Sequence, residues 1–357
     1  MEDVYQIESH YNKHQGRKYA IISGIVLLLL VASLAGIVMG SANIGISEVL
    51  DVLRSKATPV EHQIVLNIRL PRILSAIVAG AALAVSGAAM QSILRNPLGS
   101  PFTLGISNAA AFGAAFAVIV LGAGSSQSGS ANPVIFNNPY AVTVSAFLWS
   151  LVSTGIIFLL AKYKGATPEV MILTGIILGS LFAAGMTALQ YFGDDIEIST
   201  VVFWTFGDLG RASWKDFRIL LLVVLVAMIL FIRNRWNYNA LDSGDEVARS
   251  LGVHVERIRL TGMVTASLAT AIAVSFFGII AFVGLVVPHI VRRIIGGDER
   301  FLIPASALFG GMFLLVSDIV ARTIIAPVVL PVGILTSFLG APLFLYLLIR
   351  GIGKGYW

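Results

Sequence analysis

The amino-acid sequence predicts an all-α, polytopic membrane protein with ten transmembrane helices. Only 12% of its 357 residues are charged, about half the share usual in a soluble protein, whereas 57% are hydrophobic. Its mean hydropathy of +0.88 is far too high for a disordered chain. The apolar residues recur in blocks close to the length that crosses a bilayer, and there helices satisfy their own backbone hydrogen bonds.

Composition also excludes several classes of function. The sequence contains no cysteine, which excludes disulfide scaffolds, thiolate metal sites, iron–sulfur clusters and cysteine nucleophiles. A net charge of +5 is compatible with nucleic-acid binding, but in a membrane protein it indicates basic loops that face anionic lipid. We therefore expect membrane lipid, and no nucleic acid, as a partner.

The first span is predicted from Tyr19 to Gly40, after a polar tail formed by residues 1–18. A signal peptide has a shorter apolar core of about 7–15 residues, followed by a cleavage site of small residues. We therefore interpret this run as a retained span with a cytoplasmic tail before it. Residues 19–357 are then expected to form one transmembrane domain.

The other spans are predicted from further apolar blocks. One block, residues 258–291, would form about 50 Å of helix at 1.5 Å per residue, which exceeds a hydrocarbon core of about 30 Å. We divide it near Ser275–Gly278 into two spans. The remaining blocks are 70–94, 104–122, 140–161, 168–192, 216–233, 302–322 and 331–350.

The distribution of basic residues supports ten spans over nine. With ten spans, the 24 Lys and Arg residues divide into 16 on the cytoplasmic side and 8 outside. With nine, the loops after residue 291 change sides, and the division becomes 12 and 12. Because cytoplasmic loops carry the excess of Lys and Arg, the predicted topology has ten spans and both termini in the cytoplasm.

Small residues predict close contacts between the helices. In a membrane they let helix backbones approach each other, although they are also common in membrane helices generally. Together they indicate a dense bundle rather than loosely associated spans. The GxxxG pairs and the small-residue stripe are Gly36 with Gly40, Gly175 with Gly179, and Gly80, Ala84, Gly87 and Ala88.

No motif for covalent chemistry is present in the sequence. It has neither a nucleotide-binding GxxxxGK[ST] loop nor an HExxH zinc motif. Asp318 lies within a span and Arg322 follows at i+4, so an ion pair is favoured over a proton site. For His289, a packing or capping role is favoured over ligand binding. We expect no enzyme activity, no metal site and no cofactor in this chain, with energy supplied by another subunit.

The predicted cytoplasmic loop 241–256 contains a short helix. Ser243 and Glu246 have the spacing of a capping box, in which each residue satisfies a backbone N–H of the other. Gly252 stands where a left-handed residue closes many helices. The loop is therefore expected to present a helix outside the membrane.

This short helix is predicted to be amphipathic. Asp245 and Arg249 are spaced as an i,i+4 ion pair on its exposed face, and Val247 and Leu251 line its apolar face. The apolar face requires a partner. The sequence leaves open whether that partner is the rest of this chain or another protein.

Two arginines mark the predicted outer end of the second span. Arg69 and Arg72 flank Pro71, whose missing N–H is no loss in the first turn of a helix. External arginines run against the charge bias of membrane proteins, so they suggest a function. They would bind anionic lipid head groups or receive acidic residues of a docking protein.

Six blocks of the sequence together resemble a known family. In this order and spacing they are similar to the permease subunits of ABC importers for iron–siderophore, haem and cobalamin, the FecCD type. The similarity covers almost the whole chain from residue 19 onward. The blocks are Arg69–Gly113, beginning RLPRILSA, Phe203–Trp214 (FWTFGDLGRASW), Leu241–Gly252 (LDSGDEVARSLG), Gly284–Arg292 (GLVVPHIVR), Ser317–Arg322 (SDIVAR) and Leu330–Pro342 (LPVGILTSFLGAP).

The resemblance implies a ten-span subunit that pairs with a second copy of itself around a central substrate path. Two ATP-binding cassette subunits, which hold the ATP–Mg, would lie on the cytoplasmic face, and an extracytoplasmic binding protein would deliver the substrate. The coupling helix to the ATPase would lie in 241–256. Its implied coupling residues are Ser243, Asp245, Glu246, Val247, Arg249, Leu251 and Gly252.

The resemblance also implies roles at the outer side and in the fifth span. Arg69, Arg72 and Arg322 would receive glutamates of the binding protein. The fifth span, 168–192, would line the path, with dimer packing permitted by Gly175, Gly179 and Gly185. The tail before Lys18 and the Asn/Ser/Gly-rich external loop 123–139 depart from the family pattern, and the loop would alter how the binding protein sits.

We therefore expect a permease subunit of an ATP-driven importer in the cell membrane of a prokaryote. The expected cargo is a metal chelate, with iron(III)–siderophore preferred to cobalamin, haem or molybdate. A secondary transporter driven by H⁺ or Na⁺ is the alternative from another class. It would require intramembrane carboxylates or inverted repeats with broken helices, and only Asp318 meets that description.

Overall fold

The computed structural model describes residues 2–40, 42, 44–125, 135–136 and 138–351. In these residues the chain is almost entirely helical, which confirms the predicted all-α class. The helices are α1 (Glu2–Val38), α2 (Ile46–Leu53), α3 (Pro59–His62), α4 (Leu70–Leu94), α5 (Ile106–Ala115), α6 (Pro139–Lys164), α7 (Pro168–Phe192), α8 (Asp195–Thr205), α9 (Trp214–Asp242), α10 (Asp245–Ser250), α11 (Val255–Phe277), α12 (Val283–Ile295), α13 (Glu299–Thr323) and α14 (Val332–Gly351).

Shorter segments complete the described chain. A π-helical segment, Gln63–Arg69, joins α3 to α4, and a second, Phe116–Val120, extends α5. Leu209–Arg211 forms a 3₁₀ turn. Two-residue strands, β1 (Gly124–Ser125) and β2 (Ile135–Phe136), pair antiparallel at the base of the predicted loop 123–139. The middle of that loop, like residues 352–357, lies outside the described residues.

Six helical runs are long and apolar enough to cross a membrane, so the chain is a polytopic membrane protein. They are 15–38, 59–94, α6, α7, α11 and α13, and two shorter apolar helices cover 106–120 and 332–346. The predicted break in the long block 258–291 is confirmed, because α11 ends at Phe277 and α12 begins at Val283. The number of ten spans stays a prediction.

The N-terminal tail and the first span form one element. Helix α1 runs from Glu2 to Val38 without interruption, so the polar residues 2–18 continue directly into the apolar run. Six of its large apolar side chains are exposed, namely Val26, Leu27, Leu28, Leu30, Val31 and Leu34. In the most apolar window of α1 only 17% of residues are buried, whereas in the α4 run 78% are. Helix α1 is therefore peripheral and α4 is central.

Glycine and alanine allow α4 to lie against its neighbours at the centre of the bundle. A methyl group on Gly80 would collide with the carbonyl oxygen of Gly310 in α13, and one on Gly87 with that of Gly284 in α12. Ala84 and Ala88 are fully buried on the same stripe. The close contacts predicted for this stripe are confirmed, and α4 is fixed between α12 and α13.

The bundle has two ends, which we name by one residue each. The Arg72 end contains the start of α4, the end of α1, the 3₁₀ turn and the end of α13. The Asp245 end contains the end of α4, the end of α9, the start of α11 and all of α10. Polar side chains concentrate at these ends, and both predicted docking sites lie there.

Candidate functional site

At the Asp245 end, the helix predicted in the loop 241–256 is present as α10. Its C-terminal cap is the predicted one, since Gly252 has a φ of +81°. The N–H of Gly252 donates to the carbonyl of Arg249 (3.0 Å), and the N–H of Val253 donates to that of Ala248 (2.9 Å). These two bonds satisfy carbonyls that the short helix leaves free.

The predicted N-terminal capping box is wrong. The residue before α10 is Gly244, with a φ of +112°, and no side chain caps the helix there. Ser243 instead closes α9, and its hydroxyl donates to the carbonyl of Asn239 at 3.4 Å. Because α9 continues to Asp242, Ser243 is already part of its last turn and cannot begin the next helix with Glu246.

The apolar residues of α10 face away from the protein. Val247 is 44% exposed and Leu251 is 68% exposed, whereas Ala248 is fully buried against the bundle. Glu246 and Arg249 are exposed as well. The described part of the bundle leaves both side chains largely uncovered, which favours another protein among the two partners that the sequence left open. An apolar pair with charged neighbours on an exposed helix is typical of a protein-binding surface.

Asp245 does not form its predicted pair with Arg249 but faces inward. Its two carboxylate oxygens accept hydrogen bonds from Nη2 (2.6 Å) and Nη1 (2.8 Å) of Arg259 in α11. Arg95, at the end of α4, lies 3.7 Å from the same carboxylate. The sequence alone assigns no role to Arg259. The signal that could have revealed it is its place inside an apolar span, where an unpaired guanidinium is costly.

A second polar cluster lies beside this ion pair. The hydroxyl of Ser92 lies 2.9 Å from the buried carboxylate of Glu299 and 3.2 Å from that of Asp242. Arg292 pairs with Glu299 at 3.3 Å. The side-chain oxygen of Asn239 accepts the backbone N–H of Glu299 (2.8 Å), so α4, α9, α12 and α13 meet here.

Asp298, the cap residue of α13, is strongly ionised. Partial burial disfavours its charge, but hydrogen bonds from Arg300 and Asn239 outweigh that effect and lower its pKa from 3.8 to about 2. Arg300 Nη2 lies 2.6 Å from Oδ2, and Asn239 Nδ2 lies 3.0 Å from Oδ1. The start of α13 is thus held to the end of α9 by charge-assisted bonds.

At the Arg72 end, Arg72 and Arg322 share one carboxylate. Arg72 donates to Asp318 from Nε (3.0 Å) and Nη2 (2.7 Å), and Arg322 Nε lies 3.1 Å from the other oxygen. The i,i+4 pair predicted between Asp318 and Arg322 is confirmed. Arg72 is an additional partner from α4, and Asp208 lies 3.8 Å from its Nη2 at the rim.

Arg69 binds backbone rather than acid. Its guanidinium donates to the carbonyls of Ile37, Val38 (2.7 Å) and Ala42 (2.6 Å). The last carbonyls of a helix lack partners within the helix, and α1 ends at Val38. Arg69 therefore caps α1 and joins it to the start of α4.

The three arginines predicted for docking are not exposed. Arg69 is 3%, Arg72 8% and Arg322 4% exposed. In this structure the end of α1 and the carboxylate of Asp318 bind these guanidinium groups, and the docking role stays a prediction. The sequence does not show which acceptors inside the chain the three arginines contact.

The glycines of α7 pack within the chain. A methyl group on Gly175 would lie 2.6 Å from the Cα of Leu104, and one on Gly185 would lie 2.9 Å from the ring of Phe112. Gly179 approaches Gly105 and accepts a hydrogen bond from Asn108 through its carbonyl (3.1 Å). Their predicted contact with a second copy is thus replaced by contact with α5 and the turn before it. The exposed side of α7 carries Leu173, Ile176, Ile177 and Leu181.

His289 has the packing role that the sequence favoured. Its ring lies 5.7 Å from that of Phe344, and Nε2 lies 2.8 Å from the carbonyl oxygen of Pro97. Within the described part of the chain, no group of three or more acidic or histidine side chains is arranged to hold a metal ion. The prominent sites are therefore ion pairs and helix ends.

Comparison with known proteins identifies the family. The model of the FecCD transport family matches residues 27–350. This chain belongs to the FecCD transport family. A protein of Methanocaldococcus jannaschii, provisionally described as an ABC transporter permease, is 53% identical over 335 residues, which are 93% of this chain and 95% of that protein. The hemin transport system permease of Yersinia pestis is 38% identical over 332 residues, 92% of this chain and 96% of that protein.

The fold of this FecCD protein is also found in a solved structure. It matches an inward-facing structure described as an ABC transporter of the metal-chelate type, with a TM-score of 0.80 and 29% identity. The match covers 93% of this chain and 99% of the other. The resemblance inferred from the six sequence blocks is therefore confirmed over nearly the whole chain.

Family membership fixes the general role. The chain is a multi-pass permease subunit of an ABC importer for substrates of the metal-chelate type, located in the cell membrane. It is not itself an enzyme and carries no cofactor of its own. A FecCD permease works with separate ATP-hydrolysing subunits and with a substrate-binding protein.

Proposed function

We propose that this FecCD permease, as a homodimer with two ATP-binding cassette subunits, imports iron(III)–siderophore chelates. Its Asp245 end would lie in the cytoplasm together with both termini, and its Arg72 end would face the binding protein. This orientation puts 16 of the 24 basic residues on the cytoplasmic side. The ten proposed spans are α1, α4, α5 with its π-helical extension, α6, α7, α9, α11, α12, α13 and α14.

The shortest of these spans is compatible with this topology. Helix α12 has 13 residues and reaches about 20 Å, less than the bilayer core of about 30 Å. The preceding bend, residues 278–282, would supply the rest. Non-helical backbone is tolerated at membrane depth when protein covers it, and here Ile280 is buried and the carbonyl of Phe277 accepts the N–H of Asp208 (2.7 Å).

The observation that carries the proposal is the exposed apolar face of α10. Among the described residues, the bundle leaves Val247 and Leu251 exposed, although their helix is bound to α11 through Asp245 and Arg259. A water-exposed apolar pair on the cytoplasmic side favours a soluble partner there, and in a FecCD importer that partner is the ATPase. Burying the two side chains would contribute roughly 1.5–3 kcal/mol each.

The ion pairs within the described spans favour ATP over an ion gradient as the energy source. The fully buried carboxylate of Asp318 is paired with two arginines, at 2.7 Å from Arg72 and 3.1 Å from Arg322. A secondary transporter driven by H⁺ or Na⁺ needs carboxylates that exchange the ion during transport. Carboxylates held by arginine stabilise the bundle instead, so the path is expected to open through movements driven from outside the membrane.

The cargo is proposed from within the class of metal chelates. The structural match is described as of the metal-chelate type, and a related permease transports hemin. Bulky chelates suit a path that is not lined by coordinating side chains, and iron(III)–siderophores are the preferred members of this class. Haem, cobalamin and molybdate are the alternative cargoes.

Binding-protein docking is proposed at the Arg72 end, around Arg69, Arg72 and Arg322. Of these, Arg72 is nearest to an exposed acid, since Asp208 is 35% exposed and 3.8 Å away. An acidic side chain of the binding protein would reach Arg72 by displacing Asp208. Asp318 would keep the arginine in place during the exchange.

The cargo assignment is tested by uptake into vesicles. The permease, its ATPase subunits and its binding protein are reconstituted, and ATP is supplied on the ATPase side. Accumulation of a radiolabelled ferric hydroxamate siderophore, inhibited by excess unlabelled chelate but not by hemin, cyanocobalamin or molybdate, supports the proposal. Accumulation of one of the other three compounds instead would transfer the assignment to that cargo.

A further inference from the structure

One buried side chain joins α10 to three other parts of the bundle. Arg259, 2% exposed, donates from Nη1 and Nη2 to the two oxygens of Asp245, the first residue of α10. Its Nε donates to the carbonyl of Ile93 (3.1 Å), and Nη1 also donates to the carbonyl of Ala166 (3.3 Å). The guanidinium therefore contacts α10, the end of α4 and the turn between α6 and α7 at once.

The two carbonyls are available for reasons visible in the sequence. In a continuing helix, the carbonyl of Ile93 would accept the N–H of residue 97, but that residue is Pro97, which has none. Ala166 lies in the short turn between α6 and α7, where no helix bonds are made. Both acceptors would be buried without a partner if the guanidinium were absent. The planar guanidinium of Arg259, which donates several hydrogen bonds at once, is therefore difficult to replace.

Other attachments of α10 are weaker. Glycines stand on both sides of it, Gly244 at φ +112° and Gly252 at φ +81°, so the backbone around the helix is free to bend. The contact with Arg95 is long, at 3.7 Å, and its side chain is 47% exposed. Apart from the buried Ala248, the bidentate pair is the close side-chain attachment of α10 to the bundle.

A displacement of the two segments that Arg259 contacts, the end of α4 and the turn before α7, would be transmitted to other helices. Helix α4 is in backbone contact with α12 and α13 through Gly87 and Gly80, and α7 with the turn before α5 through Gly175. Packed contacts of this kind transmit displacement because they cannot be compressed. A shift of α10 that is passed to Ile93 and Ala166 would therefore move the helices at the centre of the bundle.

We propose that Arg259 is the positioning residue that passes movement of α10 to α4 and α7. This inference rests on the proposed function, in which the ATPase moves α10. The ion pair with Asp245 attaches Arg259 to α10. Its hydrogen bonds to the carbonyls of Ile93 and Ala166 attach it to the end of α4 and to the turn before α7. Without the hydrogen bonds of Arg259, the ATPase subunits would still bind the exposed face of α10. The backbone at Gly244 and Gly252 would then bend, and the movement of α10 would not reach α4 and α7.

The test measures movement without needing the cargo. Because the chain has no cysteine, Tyr191→Cys at the exposed end of α7 accepts one nitroxide label per copy. The labelled permease is assembled with its ATPase subunits in lipid nanodiscs, and pulsed electron–electron resonance gives the distance between copies with and without ATP and vanadate. Arg259→Lys keeps the charge but loses the bidentate geometry, and Asp245→Asn removes the carboxylate on the α10 side, which also ends the long contact with Arg95.

Both variants are expected to lower the population of the ATP-dependent distance by about tenfold, while ATPase co-purification and nucleotide binding stay unchanged. Arg95→Lys, which alters the exposed partner of the same carboxylate, is the matched control and is expected to respond like the parent. If the ATP-dependent distance is unchanged in both variants, or is lost equally in Arg95→Lys, the role proposed for Arg259 is contradicted. The proposed function is not affected by that outcome. Loss of ATPase binding together with the response shows a structural role and also overturns it. A parent that does not respond to ATP contradicts the proposed function and the relay with it.

Discussion

The guanidinium of Arg72 binds the fully buried carboxylate of Asp318, with Nη2 2.7 Å from Oδ1, although 246 positions separate the two residues in the sequence. Arg322, one turn after Asp318, lies 3.1 Å from the second oxygen. Two buried bases thus share one acid, which joins α4 to α13. A buried charge is tolerated only when it is paired, so these three residues depend on one another.

Asp318→Asn is therefore expected to be strongly destabilising. It leaves Arg322 buried without an acid and Arg72 with only the 3.8 Å contact to Asp208, which lowers the free energy of unfolding by about 3–5 kcal/mol. Thermal unfolding of the purified permease in detergent measures the loss. Asp208→Asn, at the exposed rim of the same cluster, is the control and is expected to cost less than about 1 kcal/mol. Equal melting temperatures for the two variants would contradict the mutual dependence of the buried triad.

Asp208 also tests the docking proposal. If an acidic residue of the binding protein replaces Asp208 beside Arg72, the variant Asp208→Asn removes an internal competitor. The affinity of the permease for the binding protein is then expected to rise, by about threefold to tenfold at low salt, and the gain is expected to shrink as salt is added. Surface plasmon resonance against immobilised binding protein measures both effects. Unchanged or weaker binding would show that Arg72 does not receive the partner.

The apolar face of α10 predicts a second interface. Val247→Asp combined with Leu251→Asp is expected to abolish co-purification of the ATPase subunits, because two charges would be buried against an apolar surface. The permease alone is expected to keep its melting temperature, since both side chains are exposed in the isolated chain. Leu251→Met is the conservative control. Retention of the ATPase by the double variant would exclude this face as the contact.

A pH dependence is predicted at the start of α13. The pKa of Asp298 is lowered from 3.8 to about 2 in the folded protein, mainly by Arg300 and Asn239 acting against partial burial. Because solvent screens this partly exposed group, its ionised form contributes about 1 kcal/mol of stability above pH 4, which is lost as the pH falls through the folded pKa. Asp298→Asn is expected to lower the melting temperature at pH 7 and to match the parent near pH 2. A constant difference across that range would contradict the ionised cap.

The predictions from sequence succeeded where one helix or one local motif decides the outcome. The break after Phe277, the Gly252 cap, the small-residue stripe of α4 and the Asp318–Arg322 pair all follow from short-range spacing. Each depends on backbone geometry or on neighbours within one turn. Such features are visible without knowledge of which helices meet.

Predictions failed where the outcome depends on a distant partner. Asp245 was assigned to Arg249, its neighbour at i+4, but Arg259 offers a bidentate fork and a buried site. For Arg69 and Arg72 the sequence indicated only partners outside the chain, whereas the structure gives them carbonyls at the end of α1 and a carboxylate in α13. A sequence shows that a charge lies inside an apolar span and needs a partner, but it does not show which residue supplies one.

The glycines of α7 illustrate the same limit. Their spacing indicates a close helix contact, and such a contact exists, but it is made with the turn before α5 and with Asn108 rather than with a second copy. Periodicity identifies the face that approaches another backbone. Which backbone that face contacts is known only from the tertiary structure.

The central claim is that ATP hydrolysed by partner subunits drives uptake through this permease. The most direct measurement is uptake of the cargo into vesicles that contain the complete importer and ATP, with proton and sodium gradients dissipated by ionophores. The account predicts that uptake continues under these conditions and stops when ATP is withheld. Uptake that stops with the ionophores and continues without ATP would contradict it.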